Sequence, residues 1–401
     1  MQVARRKVIV LNYNSFIPYA RQSIDSTDIE EVTKALTGHF ITRGPYVKAF
    51  ENAIAEYCGA KFAVSFNSGT SALVAACHVG KLSQNDRFLT TPNSFVASTG
   101  AAFLKGTIPT FLDIVRCSGN IDLHQLEANI NLPLSRGRNV VLPVHFAGIP
   151  VDMEAVDQMI CNPDTFVIED AAHALGASYP TGQKVGSCAW SNLTVLSFHP
   201  AKNLTTGEGG MVLTNDEELY QDLCCFRNNG IQKTEEMTVT QGPWYYEVQE
   251  ITGNYHMTEL QAALGFSQLK RLDAFVAKRQ ALVSLYRELL ENIPHLSLFS
   301  RKHDAYSAYH LLVVQIDFAA YRTTRAQVMQ LLEAEGIGSQ VHYIPIYRHP
   351  VFKNNIAEIS DYFPEMEIYY NQALSLPLFV DLTPEQVQKV CACLKKILAV
   401  S

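Results

Sequence analysis

Several features that would assign this chain to a common class are missing from its 401 residues. No apolar run approaches the length needed to span a bilayer, and the run at residues 8–11 is too short for the core of a signal peptide. The net charge is −7 at pH 7 and no long basic run is present, which argues against a nucleic-acid-binding surface. The sequence therefore predicts a cytoplasmic protein with a small ligand.

Signature motifs of several other classes are also missing. The twelve histidines form no HExxH pair and no Cys/His ligand spacing, so no metal site is predicted. There is no GxSxG elbow of a hydrolase and no GxGxxG turn of a nicotinamide-dependent enzyme. The nine cysteines, from Cys58 to Cys393, include no CxxC pair, which indicates reduced thiols in a cytosolic protein.

The composition and the apolar pattern indicate an α/β protein. Hydrophobic residues make up 47% of the chain and charged residues 18%, as in compact globular proteins. Strand and helix patterns alternate from about residue 60 to 215, which predicts a mostly parallel sheet sandwiched by helices. The predicted strands are continuously apolar, as strands covered on both faces are, and they cover residues 62–66, 87–91, 108–114, 140–146, 166–169, 193–198 and 211–214.

The C-terminal third predicts a smaller α+β domain. A long helix is expected after Asn254, with Thr258 and Gln261 as a capping box, and it should continue to about residue 292. We place the domain boundary within that helix, so that residues 1–270 form the large domain and residues 271–401 the small one. The small domain should contain strands at 309–316 and 340–346, a helix at 327–335 and a terminal helix from Pro384.

One lysine lies in a glycine-rich loop between two predicted buried strands. The loop is SFHPAKNLTTGEGG at residues 197–210, and its lysine is Lys202. A lone loop lysine is ordinarily exposed. A lysine that forms an imine with pyridoxal phosphate must instead sit on a tight loop, with its pKa lowered from about 10.4 by burial and nearby positive charge.

Two further strand ends carry residues suited to a phosphorylated ring. Ligands of open α/β sheets bind beyond the carboxyl ends of the strands. The segment NSGTSAL at residues 67–73 enters a helix whose N–H groups suit a phosphate, with Gly69 allowing close approach and Thr70 adding a hydroxyl; an ordinary Ser/Thr cap explains it as well. Phe95 in TPNSFVA is either a core residue or a face for stacking on a flat ring.

The predicted strand at 166–169 ends in two adjacent carboxylates. Asp170 can pair with a pyridinium nitrogen, although a helix N-cap is an alternative, and His173 falls on the same side of a helical turn. A phosphate turn, a stacking aromatic, a pyridinium acid and an imine lysine thus follow one another at successive strand ends. This order favours a cofactor site over separate structural explanations.

These segments match a known family. SFHPAKNLTTGEGG, together with NSGTSAL, TPNSFVAS, IEDAAHALG and GNYHMTELQAALG, resembles the DegT/StrS family of sugar-nucleotide aminotransferases across nearly the whole chain. The resemblance implies a fold type I enzyme that uses pyridoxal phosphate and pyridoxamine phosphate in turn. It also implies a homodimer with each active site at the subunit interface, and amino transfer to a keto sugar nucleotide.

The resemblance assigns roles at the cofactor ring. Lys202 would form the Schiff base with the cofactor and act as the catalytic acid and base. Asp170 would pair with the pyridine nitrogen, His173 would lie near the ring hydroxyl, and Phe95 would stack on the ring.

Roles at the cofactor phosphate follow from the same resemblance. Gly69, Thr70 and Ser197 would hold the phosphate, and Asn254 would reach the phosphate bound in the neighbouring subunit. His256 stands where the family commonly has arginine, which leaves the contacts of that position open.

Within the family, the similarity is closer to the pathway that makes pseudaminic acid, a nine-carbon sugar of bacterial surface structures. It rests on FIPYARQ at 16–22, ITRGP at 41–45, PWYYE at 243–247 and QVHYIPI at 340–346. The implied reaction moves an amino group from L-glutamate to C4 of UDP-2-acetamido-2,6-dideoxy-β-L-arabino-hex-4-ulose. The implied substrate-binding residues are Tyr19, His39, Phe40, Ile41, Thr42, Gln340, Val341, His342 and Tyr343.

Other functions compete with this interpretation. The chain could aminate another nucleotide-linked keto sugar at C3 or C4, or it could be a regulatory protein that binds the cofactor without turnover. The related sugar dehydratases typically carry histidine at the lysine position, so Lys202 argues against that chemistry. The presence of Lys202 and Asp170 likewise argues against loss of turnover.

Overall fold

The computed structural model describes residues 16–353 and 360–400, so the apolar run at 8–11 lies outside the described residues. The strands, in chain order, are β1 (Phe62–Phe66), β2 (Arg87–Thr90), β3 (Pro109–Phe111), β4 (Ile114–Val115), β5 (Asn120–Ile121), β6 (Asn139–Leu142), β7 (Phe166–Asp170), β8 (Leu193–Ser197), β9 (Gly210–Thr214), β10 (Ile231–Gln232), β11 (Glu247–Val248), β12 (Leu296–Leu298), β13 (Leu312–Ile316) and β14 (Ala373–Leu376).

The α-helices are α1 (Ser26–Thr37), α2 (Pro45–Cys58), α3 (Gly69–Val79), α4 (Val96–Phe103), α5 (Leu123–Ile130), α6 (Met153–Met159), α7 (Glu217–Arg227), α8 (Glu235–Gln241), α9 (Glu259–Leu269), α10 (Leu272–Leu290), α11 (Arg325–Ala334), α12 (Pro350–Lys353), α13 (Pro364–Gln372) and α14 (Pro384–Val400). Short 3₁₀ turns lie at Phe146–Gly148, Arg301–His303, Ile346–Arg348 and Ser360–Tyr362. In the part of the chain that the structure describes, no helix combines the length and apolar character needed to cross a membrane.

A seven-stranded sheet in the order β1-β9-β8-β7-β6-β2-β3 forms the centre of the fold. Strand β9 is antiparallel to β1 and β8, and the other neighbours pair in parallel. The prediction of a mostly parallel sheet is therefore confirmed, although β3 ends at Phe111 and β6 at Leu142, before the predicted ends. In this sheet, the carboxyl ends of all strands except β9 lie at the same edge.

Side chains of this sheet alternate between two separate cores. In β6, Val141 packs in one core, and Val140 and Leu142 pack in the other. Because both faces are covered, every residue of a central strand is buried. This explains why the strands appear in the sequence as continuous apolar runs.

A three-stranded antiparallel sheet, β12-β13-β14, lies toward the C-terminus. It shares a third core with α10, α11 and α14, in which Leu282, Val314 and Leu394 are buried. Ile17, from the N-terminal part of the chain, belongs to the same core and pairs with Ile337. The division of the chain at residue 270 stays a prediction.

The predicted long helix is in fact two helices, α9 and α10. The capping box of Thr258 and Gln261 is present at the start of α9. At its end, Gln268 donates to the Asp28 carboxylate at 2.9 Å and Arg271 forms an ion pair with the same group. The backbone of Arg271 leaves the helical conformation, with φ −112° and ψ 1°, so this contact with α1 coincides with the break.

The predicted strand at residues 340–346 is wrong. Only Gln340 makes a strand-like bridge, to Ser375. Farther along, the N–H of Ile346 donates to the carbonyl of Pro92 at 3.1 Å and begins a 3₁₀ turn. The backbone of this segment therefore bonds to several separate partners, and the segment forms a wall of the cavity described below.

A buried glutamate joins α9 to the start of α2. Glu259 accepts hydrogen bonds from the N–H groups of Gly44 (3.0 Å), Tyr46 (2.7 Å) and Val47 (3.0 Å). Gly44 has no side chain to cap α2, so a carboxylate from another helix satisfies these donors and faces the positive end of the helix dipole. The N–H of Glu259 also donates to the carbonyl of Ile41 at 3.1 Å, which fixes the segment before α2.

We expect Glu259→Ala to destabilise the protein by about 3 kcal/mol, because it leaves one buried and two partly buried N–H groups without an acceptor. Thermal unfolding followed by circular dichroism will show this as a lower Tm. Glu30→Ala, at an exposed position of α1, is the matched control. A Tm for Glu259→Ala equal to that of the control would contradict this role of the carboxylate.

Candidate active site

A cavity of about 730 Å³ opens at the carboxyl edge of the seven-stranded sheet, within the usual size of small-molecule sites. Of the predicted site residues, it brings together Tyr19, Gly69, Thr70, Phe95, Asp170, His173, Ser197, Lys202, Gln340, Val341, His342 and Tyr343. The remaining predicted residues, which are His39, Phe40, Ile41, Thr42 and Asn254, do not line it. The roles of all these residues stay predictions.

The N-terminus of α3 forms one corner of the cavity. Ser68 caps this helix by accepting from the N–H of Ser71 at 3.1 Å, so the motif does contain an ordinary cap. The N–H groups of Gly69 and Thr70 belong to the first turn, where a helix offers no acceptor of its own. Both residues line the cavity, and these donors together with the helix dipole suit an anion.

Two glycines allow the strand ends at this corner to lie close together. A Cβ on Gly69 would lie 3.0 Å from the Ser197 Oγ, and a Cβ on Gly210 would lie 2.4 Å from the Ser68 carbonyl oxygen. A side chain at Gly210 would therefore collide with the backbone. The hydroxyl of Ser197, at the end of β8, thus lies beside the start of α3.

Asp170, at the end of β7, is 3% exposed. One carboxylate oxygen accepts from the Ser98 Oγ at 2.5 Å, and the other accepts from the N–H of Ala172 at 3.1 Å. The Ser94 Oγ lies 2.6 Å from that of Ser98, so Ser94 donates to Ser98 while Ser98 donates to Asp170. The carboxylate is thus held in one orientation and keeps lone pairs for a ligand.

Neither serine was predicted from the sequence. Ser94 and Ser98 are four residues apart across the start of α4, a spacing that places side chains together on a helix. The four-residue spacing of these serines on either side of Phe95 could have identified them from the sequence.

Lys202 lies partly buried in the loop after β8. Its N–H donates to the carbonyl of His199 at 2.8 Å, and the hydroxyl of Thr205 donates to the carbonyl of Phe198 at 3.1 Å, which keeps the loop compact. Burial lowers the pKa of Lys202 to about 8, while the charge of Asp170 acts in the opposite direction. A minor part of the amine is therefore neutral near neutral pH, as a nucleophile or general base requires.

Five histidines line the cavity, and three of them, His173, His310 and His342, are buried. Burial lowers the pKa values of His173 and His310 well below their usual range, and that of His342 to about 3, with the charge of Lys202 adding to each effect. The rings of His173 and His310 lie 4.4 Å apart. The sequence analysis did not predict His310. At neutral pH these imidazoles are uncharged and serve as hydrogen-bonding groups.

The charged side chains that line the cavity leave it short of positive charge. Among the described residues these are Lys202, Asp170 and Glu208, without an arginine. One ammonium thus faces two carboxylates. A phosphate in this cavity must therefore depend on backbone N–H groups and hydroxyls, or on cations from outside the described part of this chain.

Phe95 presents an apolar face to the cavity. It stands at the N-cap of α4 and is 56% exposed although it is a large aromatic residue. On the other side, the ring of Tyr19 lies 5.7 Å from that of His342. The exposed face of Phe95 therefore suits stacking on a flat ring.

Asn254 is exposed outside the cavity and accepts from the N–H of His256 at 3.2 Å. The Nε2 of His256 lies 3.1 Å from the side-chain oxygen of Asn228, which also accepts from the Arg43 guanidinium at 2.8 Å. Burial, followed by the charges of Arg227 and Arg43, lowers the pKa of His256 to about 4. Positive charge beside His256 is therefore supplied by the two arginines.

Comparison with known proteins identifies the family. The model of the DegT/DnrJ/EryC1/StrS aminotransferase family matches residues 22–395. The spore coat polysaccharide biosynthesis protein SpsC of Bacillus subtilis is 36% identical over 391 residues, which cover 97% of this chain and 99% of that protein. The UDP-4-amino-4,6-dideoxy-N-acetyl-beta-L-altrosamine transaminase of Campylobacter jejuni is 35% identical over 382 residues, which cover 95% and 97%.

Solved structures show the same fold. PseC of Helicobacter pylori, described as an aminotransferase involved in the biosynthesis of pseudoaminic acid, aligns with a TM-score of 0.85 and 30% identity. The alignment covers 96% of this chain and 100% of that one. The protein Spr1654 of Streptococcus pneumoniae, in its PMP form, aligns with a TM-score of 0.87 and 26% identity over 96% and 99% of the two chains.

In the ligand-free protein, we expect the Lys202 amine to titrate near pH 8, because burial disfavours its ammonium form. Competitive labelling with acetic anhydride at a series of pH values, with mass spectrometry, measures the midpoint. Asp170→Asn should lower the midpoint further, since the carboxylate favours the ammonium form. Asp222→Asn, at an exposed position, is the control. A midpoint near the ordinary value of 10.5 would show that Lys202 is not buried in solution.

Proposed function

Because this chain belongs to the DegT/DnrJ/EryC1/StrS aminotransferase family, we propose that it transfers an amino group from L-glutamate to C4 of a UDP-4-keto-6-deoxy-N-acetylhexosamine, with pyridoxal 5′-phosphate as cofactor. The product would be UDP-4-amino-4,6-dideoxy-N-acetyl-β-L-altrosamine, in the biosynthesis of pseudaminic acid. The observation that carries the proposal is the cavity that joins Lys202, Asp170 and the N-terminus of α3. The names of the Campylobacter and Helicobacter relatives support the choice of sugar.

The residues of the cavity fit pyridoxal phosphate. The first-turn N–H groups of Gly69 and Thr70 and the hydroxyl of Ser197 would hold its phosphate, Asp170 would accept a hydrogen bond from the pyridine nitrogen, and Phe95 would cover the ring. When bound, the cofactor supplies an electron-accepting ring that carries the amino group between the two substrates.

Lys202 would move protons in both half-reactions. Its neutral amine accepts a proton from the reacting carbon and its ammonium form returns it, and a pKa of about 8 allows both forms near neutral pH. The Asp170 carboxylate, held by Ser98 and Ala172, would favour a protonated ring nitrogen.

The keto sugar would lie against the wall opposite the sheet. This wall contains Tyr19, Gln340, Val341, His342 and Tyr343, which offer phenol, amide and imidazole groups that match the hydroxyl and acetamido groups of a sugar. The segment replaces the predicted strand at 340–346, and its irregular backbone exposes these side chains to the cavity.

We further propose a homodimer with shared active sites. The predicted residues that do not line the cavity are exposed, and they include two large apolar side chains, Phe40 and Ile41, exposed to 61% and 56%. Burial of such side chains against a second copy would be favourable. The shortage of positive charge in the cavity supports the same arrangement, because cations from a second copy would add to the N–H and hydroxyl donors that this chain provides for a phosphate.

A second candidate is amination of another nucleotide-linked keto sugar at C3 or C4. The observation in its favour is that SpsC, at 36% identity, is named for spore coat polysaccharide and not for pseudaminic acid. The same residues would act on the cofactor in either case, so only the product distinguishes the two candidates. A regulatory protein without turnover is a third, and it predicts no product at all.

We expect the purified enzyme, with L-glutamate and UDP-4-keto sugars of both C5 configurations, to form one aminated product. NMR will identify the C4 configuration of this product.

Lys202→Ala should lower kcat by at least about 10³-fold, because it removes both the nucleophile and the proton carrier. Lys184→Ala, which removes a surface lysine paired with Asp273, should retain activity. Amination by Lys202→Ala at the control rate would disprove the role of this lysine, and absence of product with every keto sugar would disprove the activity.

Mixing of subunits tests the shared site. Lys202→Ala and Asn254→Asp should each be nearly inactive alone. Asn254→Asp keeps the oxygen that accepts from the His256 N–H. It also places a negative charge where a donor to the phosphate is proposed. After dissociation and random reassociation, half of the dimers should be mixed, each with one intact site, so activity should recover to about a quarter of the wild-type value. A mixture as inactive as its components would contradict the arrangement.

A further inference from the structure

We propose that the hydroxyl of Tyr343 donates a hydrogen bond to an oxygen atom of the bound ligands, and that Ala147 and His173 impose this direction. The inference rests on the proposed function, since it assigns a role within the same cavity. The acceptor is an oxygen on which negative charge is stabilised, either the ring oxygen of the cofactor or the ketone oxygen of the sugar. The direction of the Tyr343 hydroxyl depends on two successive hydrogen bonds, and the donor of each can be identified.

The first bond fixes the tautomer of His173. The backbone N–H of Ala147 points at the Nδ1 of His173, at 3.3 Å. A backbone N–H can only donate, so Nδ1 is the unprotonated nitrogen. Burial and the charge of Lys202 hold the pKa of His173 well below its usual range, so the ring is neutral at neutral pH and carries its proton on Nε2.

The second bond fixes the direction of the Tyr343 hydroxyl. The Nε2 of His173 lies 3.1 Å from the Oη of Tyr343, and because Nε2 carries the proton, the phenol oxygen is the acceptor. The hydroxyl proton of Tyr343 must therefore point elsewhere. Among the described residues no acceptor faces it, and the residue lines the cavity. Burial also raises the pKa of Tyr343 well above its usual value, so the phenol keeps this proton.

The backbone around Ala147 is held on several sides. Ala147 has φ 57° within the turn Phe146–Gly148, a conformation that is costly for a residue with a side chain. The N–H of His310 donates to the carbonyl of Ala147 at 2.9 Å, and the N–H of Phe146 donates to the side chain of Asn120 at 2.9 Å. The donor that sets the tautomer is therefore fixed before any ligand binds.

Other groups that face this pair do not reverse its direction. The His310 ring packs on His173 and is itself neutral, and its Nδ1 is buried without a partner. Lys202 acts on His173 only through its charge, which favours the neutral ring. A hydroxyl donor whose direction is fixed stabilises negative charge on an oxygen without reorganisation. Tyr343 thus adds to the wall a donor of defined direction.

Two substitutions of His173 separate donation from the other contacts of the ring. The amide nitrogen of His173→Gln can take the place of Nε2 and donate to Tyr343, whereas His173→Asn reaches only the position of Nδ1. We expect His173→Gln to retain most of the effect of Tyr343, and His173→Asn to behave as Tyr343→Phe. Equal loss in both His173 variants would contradict the role of this histidine as the positioning residue.

Tyr343→Phe removes the donor and keeps the ring. Tyr321→Phe is the control, because its hydroxyl bonds to the carbonyl of Pro294 away from the cavity. If the acceptor is the cofactor oxygen, Tyr343→Phe should weaken binding of pyridoxal phosphate by about 10-fold. If it is the ketone oxygen, cofactor affinity should stay within a factor of about two, and kcat/KM for the keto sugar should fall by about 10-fold or more while the half-reaction with glutamate is unchanged. Equality with the control in both measurements would overturn the proposal.

Nitrogen NMR of ¹⁵N-histidine-labelled holoenzyme provides a test without any substitution. The proposal requires His173 to be neutral with its proton on Nε2, and a proton on Nδ1 would overturn it. Neither this measurement nor cofactor affinity depends on turnover. A wild-type enzyme that aminates no keto sugar would therefore disprove the proposed function, and the tautomer and the affinity of Tyr343→Phe would still decide the direction of this hydroxyl.

Discussion

The candidate site depends on the close approach of two strand ends at Gly210. The start of β9 lies so near the end of β1 that a Cβ on Gly210 would be 2.4 Å from the Ser68 carbonyl oxygen. Since β9 also pairs with β8, this approach places the N-terminus of α3 beside Ser197. The anion donors of one loop and the lysine of another thereby open into one cavity. A larger residue at 210 would separate them by moving the backbone, whatever its polarity.

The sequence was a good guide to the sheet and to the residues at its edge. Central strands covered on both faces must be apolar throughout, so they were visible as runs, and polar residues directly after them were conspicuous. Asp170 is the last residue of β7 and Lys202 follows β8, and these strands pair in parallel, so the common location of the two residues could be inferred from topology alone. Residues whose role depends on contacts with distant parts of the chain could not be predicted in this way.

Glu259 and the segment at 340–346 show why the rest could not be predicted. Glu259 appears as an ordinary acidic residue in the first turn of α9, and its role depends on N–H groups more than two hundred residues earlier. The segment at 340–346 is rich in β-branched and aromatic residues, which favour a strand. Its backbone instead bonds to Ser375 of β14 near one end and to Pro92 at the other, so only Gln340 pairs with a strand.

The electrostatic character of the cavity follows from its burial. The same loss of solvent that lowers the pKa of Lys202 to about 8 also keeps three buried neighbouring histidines neutral, so the imidazoles beside this lysine add no positive charge to the pocket. Anionic groups must then be held by N–H and O–H donors, whose effect depends on direction as well as distance. This is why the backbone of Ala147 and the tautomer of His173 matter, and cations from the proposed second chain would add charge that the described lining residues of this chain do not supply.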